Sequence, residues 1–78
     1  MKRGTVVKSM AGRDQGCYLA VLNCEADRVL VADGKQRKLS NPKAKNLRHL
    51  QITEKHIDLE QIYSDKALRK ALTMLDFI

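Results

Sequence analysis

The chain has 78 residues, with 15 Lys and Arg against 9 Asp and Glu and a formal net charge of +6. A chain of this length forms one small domain that buries only about 60% of its unfolded surface, and it excludes separate substrate and cofactor domains. The positive balance favours a polyanionic partner, and it is unevenly placed: residues 34–49 carry Lys35, Arg37, Lys38, Lys43, Lys45 and Arg48 with no Asp or Glu, whereas the residues from 56 onward are close to neutral.

In chain order, Thr5 to Ser9 is rich in β-branched residues and predicts a first strand. Gly12-Arg13-Asp14-Gln15-Gly16 follows as a tight loop, and Gly12 is expected at positive φ because the chain must reverse sharply there. Cys17 to Cys24 predicts the longest strand, apolar on both faces for much of its run, as in a bent barrel strand buried on two sides. After the polar turn Glu25-Ala26-Asp27, Arg28 to Asp33 predicts a third strand. Asp33-Gly34 is a hairpin signal, and Arg37 to Leu39 is then a short strand. Pro42 marks a loop, and Leu47 to Thr53 predicts a closing strand. Short strands at this spacing, joined by tight turns, suggest a small closed or half-open barrel over residues 1–55.

The period then changes. Ile57, Leu59 and Ile62 suggest a helical turn, and Ser64 is placed to cap a helix with Asp65 at its positive end. Leu68, Ala71, Leu72 and Leu75 recur at i, i+3, i+4 and i+7, opposite Lys66, Arg69, Lys70 and Thr73. Residues 56–78 thus form a helical extension expected to pack on the barrel, with Met74, Leu75, Phe77 and Ile78 as an apolar end.

Cys17 and Cys24 lie at the two ends of one predicted strand, roughly 23 Å apart and on opposite faces, so they do not pair. Free thiols suit a reducing cytoplasm. No apolar run approaches the roughly 18 residues of a membrane span, and no hydrophobic signal region follows Met1-Lys2-Arg3. Cys17, Cys24, His49 and His56 lack zinc-site spacing, and no nucleophile–base set, phosphate-cradling glycine loop or placed carboxylate pair stands out. No metal, cofactor or enzymatic chemistry is expected.

The loop and its flanking strands resemble the KOW motif of ribosomal proteins and of transcription elongation factors of the NusG type. Gly4, Val7, Gly12, Arg13, Asp14 and Gly16 occupy the matching places, while Ser9 stands where an apolar residue is usual. A longer run, from Val7-Lys8-Ser9 through Gly12-Arg13-Asp14 and Gly16, then Val29-Leu30-Val31-Ala32-Asp33-Gly34, Arg37-Lys38 and His49-Leu50, is similar to a KOW-containing family of large-subunit ribosomal proteins of archaea and eukaryotes. It is also similar to the small stand-alone bacterial proteins related to them. The resemblance covers about residues 4–53 and leaves the helical extension outside. It implies an SH3-like barrel that binds RNA through the glycine loop and neighbouring basic loops.

The combined expectation is a mainly β protein, a small SH3-like (KOW) barrel with a C-terminal α-helix, that binds structured ribosomal RNA without catalysis. The expected contacts are Lys8, Arg13, Tyr18, Arg37, Lys38, Lys43, Lys45, Arg48 and His49. Gly12, Asp14 and Gly16 are expected to shape the loop, Asp14 by accepting hydrogen bonds from loop N–H groups. Tyr18 reads equally as a base-stacking ring or a half-buried barrel tyrosine, and His49 as a structural residue entering the last strand or an RNA contact. With so few aromatics, shape and backbone recognition of folded RNA is favoured over a multi-base stacking platform. The chain is expected to be monomeric when free, cytoplasmic and associated with the ribosome. The alternative is a protein-interaction module of transcription or translation complexes, docking ribosomal or transcription proteins through the barrel face or the C-terminal helix.

Overall fold

The computed structural model describes residues 1–75. Five strands, β1 (Thr5–Ser9), β2 (Tyr18–Glu25), β3 (Arg28–Ala32), β4 (Lys43–Asn46) and β5 (Leu50–His56), form one antiparallel sheet in the order β4-β3-β2-β1-β5. A helix, α1 (Asp65–Leu75), follows them. Phe77 and Ile78, part of the apolar end read from the sequence, lie outside the described residues.

The central strands bury both faces, and the alternation of their side chains divides the core in two. Val7, Leu19, Val21, Val29, Val31 and Leu50 form the inner cluster. Val6, Ala20, Ala32, Ile57 and Leu59 form the outer one with Leu68 and Leu72 of α1. The double-sided burial foreseen for the second strand is therefore real, and the strand bends at a register shift between Val21 and Asn23.

Curvature closes the inner cluster. In a flat sheet β4 and β1, separated by β3 and β2, would lie about 14 Å apart, too far for a lysine and a serine to bridge. Yet Lys45 Nζ on β4 donates to Ser9 Oγ on β1 at 2.9 Å. The sheet therefore curls into a small β-barrel. Its β4 and β5 edges share no ladder, and the 3₁₀ turn Leu47–His49 joins them.

Two boundaries differ from the sequence reading. Asp33-Gly34 does turn, with Gly34 at φ 78° and both N–H groups donating to the Arg37 carbonyl, but Arg37 to Leu39 is not a strand. The chain returns to the sheet only after Pro42, as β4. The region is held from the other side: Asp65 Oδ1 accepts from Leu39 N–H at 2.7 Å, and a Cβ at Gly34 would meet the Asp65 carbonyl. This loop is thus shaped by the helix start rather than by pairing. The expected closing strand from Leu47 begins instead at Leu50, because Asn46 caps a 3₁₀ turn by accepting from Arg48 N–H.

The helical extension forms as read. Leu59–Gln61 is a 3₁₀ turn, and Ser64 caps α1, its Oγ accepting from Ala67 N–H at 3.1 Å. Leu68 and Leu72 are buried while Ala71 and Leu75 pack beside them. Leu72→Ala should lower the unfolding free energy by about 2–5 kcal/mol, because it opens a cavity in the outer cluster. Chemical denaturation of the two proteins checks this, and an unchanged midpoint would show that the helix contributes no core.

Candidate nucleic-acid interface

The first loop is built as a stiff platform. Ser9 N–H donates to the Cys17 carbonyl at 2.9 Å, Gly16 N–H to the Ser9 carbonyl at 2.7 Å, and Gln15 N–H to the Gly12 carbonyl at 3.2 Å. Gly12 takes φ 87°, as the reversal demands, and a Cβ there would approach Asp14 Oδ1 and Lys45 Nζ only to 3.6 Å. Backbone conformation rather than crowding thus selects glycine. Arg13 is presented to solvent from this platform.

Beneath the loop lies a buried polar network. Lys45 is 8% exposed, Asp14 3% and Ser9 0%. The Lys45 ammonium has three hydrogens and three acceptors: Asp14 Oδ1 at 2.6 Å, Ser9 Oγ at 2.9 Å and the Ala11 carbonyl at 2.9 Å. The Ser9 hydroxyl donates in turn to Asp14 Oδ1 at 2.8 Å, with the Ala11 carbonyl at 3.0 Å. This corrects the reading of Lys45 as a phosphate contact. Lys45 stands opposite Val29 of the inner cluster and faces into the barrel, where its charge is matched and its donors are used. Asp14 was expected to accept from loop N–H groups; its Oδ1 instead accepts from the side chains of Lys45 and Ser9. Ser9, where an apolar residue was expected, supplies the hydroxyl of this network.

Burial pushes the Asp14 carboxyl up, but the hydrogen bonds from Lys45 and Ser9, the Lys45 charge and the residue's own N–H outweigh it, so the group ionises below its ordinary 3.8. The folded state therefore takes up this proton later than the unfolded chain as pH falls. The stabilisation is present in full above about pH 5 and is lost as pH drops through 3.8 and then through the lower folded value. Unfolding free energy measured from pH 6 to pH 2 should fall on the acid side, and the fall should be shallower in Asp14→Asn. Lys45→Met alone should cost about 3–5 kcal/mol by leaving a buried carboxylate uncompensated, and Asp14→Leu added to it should recover much of the loss. Denaturant titration of the single and double variants checks this coupling.

The remaining expected contacts fall on two sides of the sheet. Lys8 and Tyr18 are cross-strand partners in the β1–β2 register, on the side covered by α1. The Lys8 ammonium stands 5.8 Å from the centre of the Tyr18 ring, and the ring itself packs against the outer cluster. Tyr18 is thus a half-buried barrel tyrosine, with Lys8 over one ring face. Arg37 and Lys38 lie in the loop that meets the start of α1, Lys38 exposed and Arg37 half-buried. On the other side, Gly12, Lys43, Lys45 and His49 come together around a concavity of about 440 Å³ between the first loop and β4. Arg48 is exposed on the 3₁₀ turn beside it, and His49 is likewise exposed, its carbonyl accepting from Met10 N–H.

Arg28 also lines this concavity and was not singled out by sequence reasoning. It opens β3 directly opposite Asn46, and that register was the missing signal. Among the described residues, Lys45–Asp14 is the sole ion pair, no three His, Cys, Asp or Glu side chains gather as a metal site, and no helix is long and apolar enough to cross a membrane. Cys17 and Cys24 are free and exposed.

Fold and surface together define a small β-barrel with a C-terminal helix and an uncompensated positive exterior. Comparison with protein-family models gives no match, and comparison with curated proteins gives none either.

Proposed function

We propose that the protein is a non-catalytic RNA-binding barrel of the KOW type, acting in the cytoplasm on structured ribosomal RNA. One observation carries the reading: among the described residues, every Lys and Arg except Lys45 lacks a carboxylate partner within 4.0 Å, so the net charge of +6 is displayed rather than cancelled. A polyanion gains from such a surface by releasing its condensed counterions. The rigid Gly12–Gly16 loop adds a point of close approach, with Arg13 as a planar fork for phosphate or base. The resemblance of residues 4–53 to KOW proteins supports the same partner. The competing reading places a protein partner on the barrel face or on α1; the apolar stripe of α1 faces the protein's own barrel through Leu68 and Leu72, which leaves the barrel face as its support.

Binding to a ribosomal RNA fragment should weaken linearly on a double-logarithmic salt plot. With about three to five phosphates neutralised, the slope should be near −2 to −4, and Lys38→Ala with Lys43→Ala should make it shallower by about one to two. Arg13→Ala should reduce affinity for the folded RNA more than for an unrelated RNA. Titrations at several salt concentrations check both. Affinity no tighter than about micromolar at low salt, with unchanged slopes in the lysine variants, would favour a protein partner instead.

A further inference from the structure

We propose that the concavity between the Ala11–Gly12 bend and the free edge of β4 seats a single phosphate group, held by Arg28 and Lys43 and kept in shape by the buried Lys45 network. The proposal takes its ligand class from the RNA-binding reading and adds the place where one phosphate is fixed while others are only tracked.

The lining holds Arg28, Lys43, Lys45 and His49 and no carboxylate. The concavity is open to solvent, and its volume of about 440 Å³ leaves room for a phosphate group. The β-ladder sets the spacing of the two outer cations. Arg28 lies opposite Asn46 and shares its face, whereas Lys43, three residues along β4, is on the other face with Lys45, so the two reach the concavity from either side of the free β4 edge with backbones about 11 Å apart. Two long cationic side chains on the two sides of an edge strand can close on one group held against that edge. His49 and the Asn46 side chain, which fixes the 3₁₀ turn, complete the rim.

Lys45 has a different role. All three of its donors are engaged and Asp14 neutralises its charge, so it has nothing left for an anion. It does hold the Ala11 carbonyl and the Asp14 carboxylate, and with them it fixes one wall of the concavity, the first loop, against the other, β4. Lys45 is therefore a positioning residue. A seat with walls already set loses less entropy on binding than one that must be ordered by its ligand.

The test is titration of the protein with inorganic pyrophosphate, followed by backbone amide chemical shifts, in parallel with a short RNA oligonucleotide. The largest pyrophosphate shifts are expected at Gly12, Lys43, Ala44, Asn46 and His49. Arg28→Gln with Lys43→Gln should weaken pyrophosphate binding by about tenfold, the loss of roughly one charge-assisted hydrogen bond, while Lys38→Gln with Lys66→Gln should change it less than about twofold. Shifts spread evenly over all the basic segments, or equal losses in the two double variants, would overturn the seat. The wild-type shift map stands by itself if a variant fails to fold. Lys45→Met with Asp14→Leu removes no exposed charge, so weakened pyrophosphate binding in that folded variant supports the positioning role and unchanged binding overturns it. The RNA arm separates the two proposals. Localised pyrophosphate binding without RNA binding keeps the seat and removes the RNA reading. RNA binding that Arg28→Gln with Lys43→Gln weakens no more than the control variant does removes the seat alone.

Discussion

A lysine ammonium inside a barrel of this size is stable only if its charge and its three hydrogens are all answered, and the way Lys45 meets that demand organises the rest of the molecule. Asp14, Ser9 and the Ala11 carbonyl answer it from β1 and the first loop, while Lys45 reaches them from the far edge strand. Desolvating two charges offsets much of what their attraction returns, so the pair adds little net stability over a matched apolar pair. What it fixes is geometry. An apolar contact could slide, whereas three hydrogen bonds to one nitrogen set how tightly the sheet curls and where the loop stands over β4. The inner apolar cluster and this polar network thus divide the interior between burial and registration.

The same pairing decides what the exterior can do. Among the described residues, the one buried cation is cancelled by the one buried anion, so the remaining charges are carried outside. The positive ones do not form a single patch. Lys8 and the loop of Arg37 and Lys38 lie toward the helix side of the sheet, and Arg28, Lys43 and His49 surround the gap between the first loop and β4. Arg13 is exposed on the first loop.

The strands of high β content and the amphipathic helix were legible because their signals are local. Val6-Val7, Leu19 to Val21 and Val29 to Val31 carry branched apolar residues, and Leu68 and Leu72 carry the helical period. The fourth strand was not legible. Lys43-Ala44-Lys45-Asn46 is built from residues that strands disfavour, and only the ladder to β3 and the Lys45 network place it there. Arg37 to Leu39 failed in the opposite sense, drawn out of the sheet by a hydrogen bond to Asp65 twenty-six residues away. At the site, the loop glycines and the basic run were visible in the sequence. The inward turn of Lys45 and the arrival of Arg28 opposite Asn46 were not, since both depend on a pairing register that no short segment encodes.

The helix that completes the outer cluster comes after every strand in the chain, and this has a consequence for biosynthesis. The inner cluster has all its side chains once Leu50 is made, but Val6, Ala20 and Ala32 on the opposite side wait for Leu68 and Leu72. At roughly 5–20 residues per second, that interval lasts about 1–4 s. For those seconds the nascent sheet is lined on one side and bare on the other. The surface most open to misassociation during synthesis is therefore the one that the finished protein hides beneath α1.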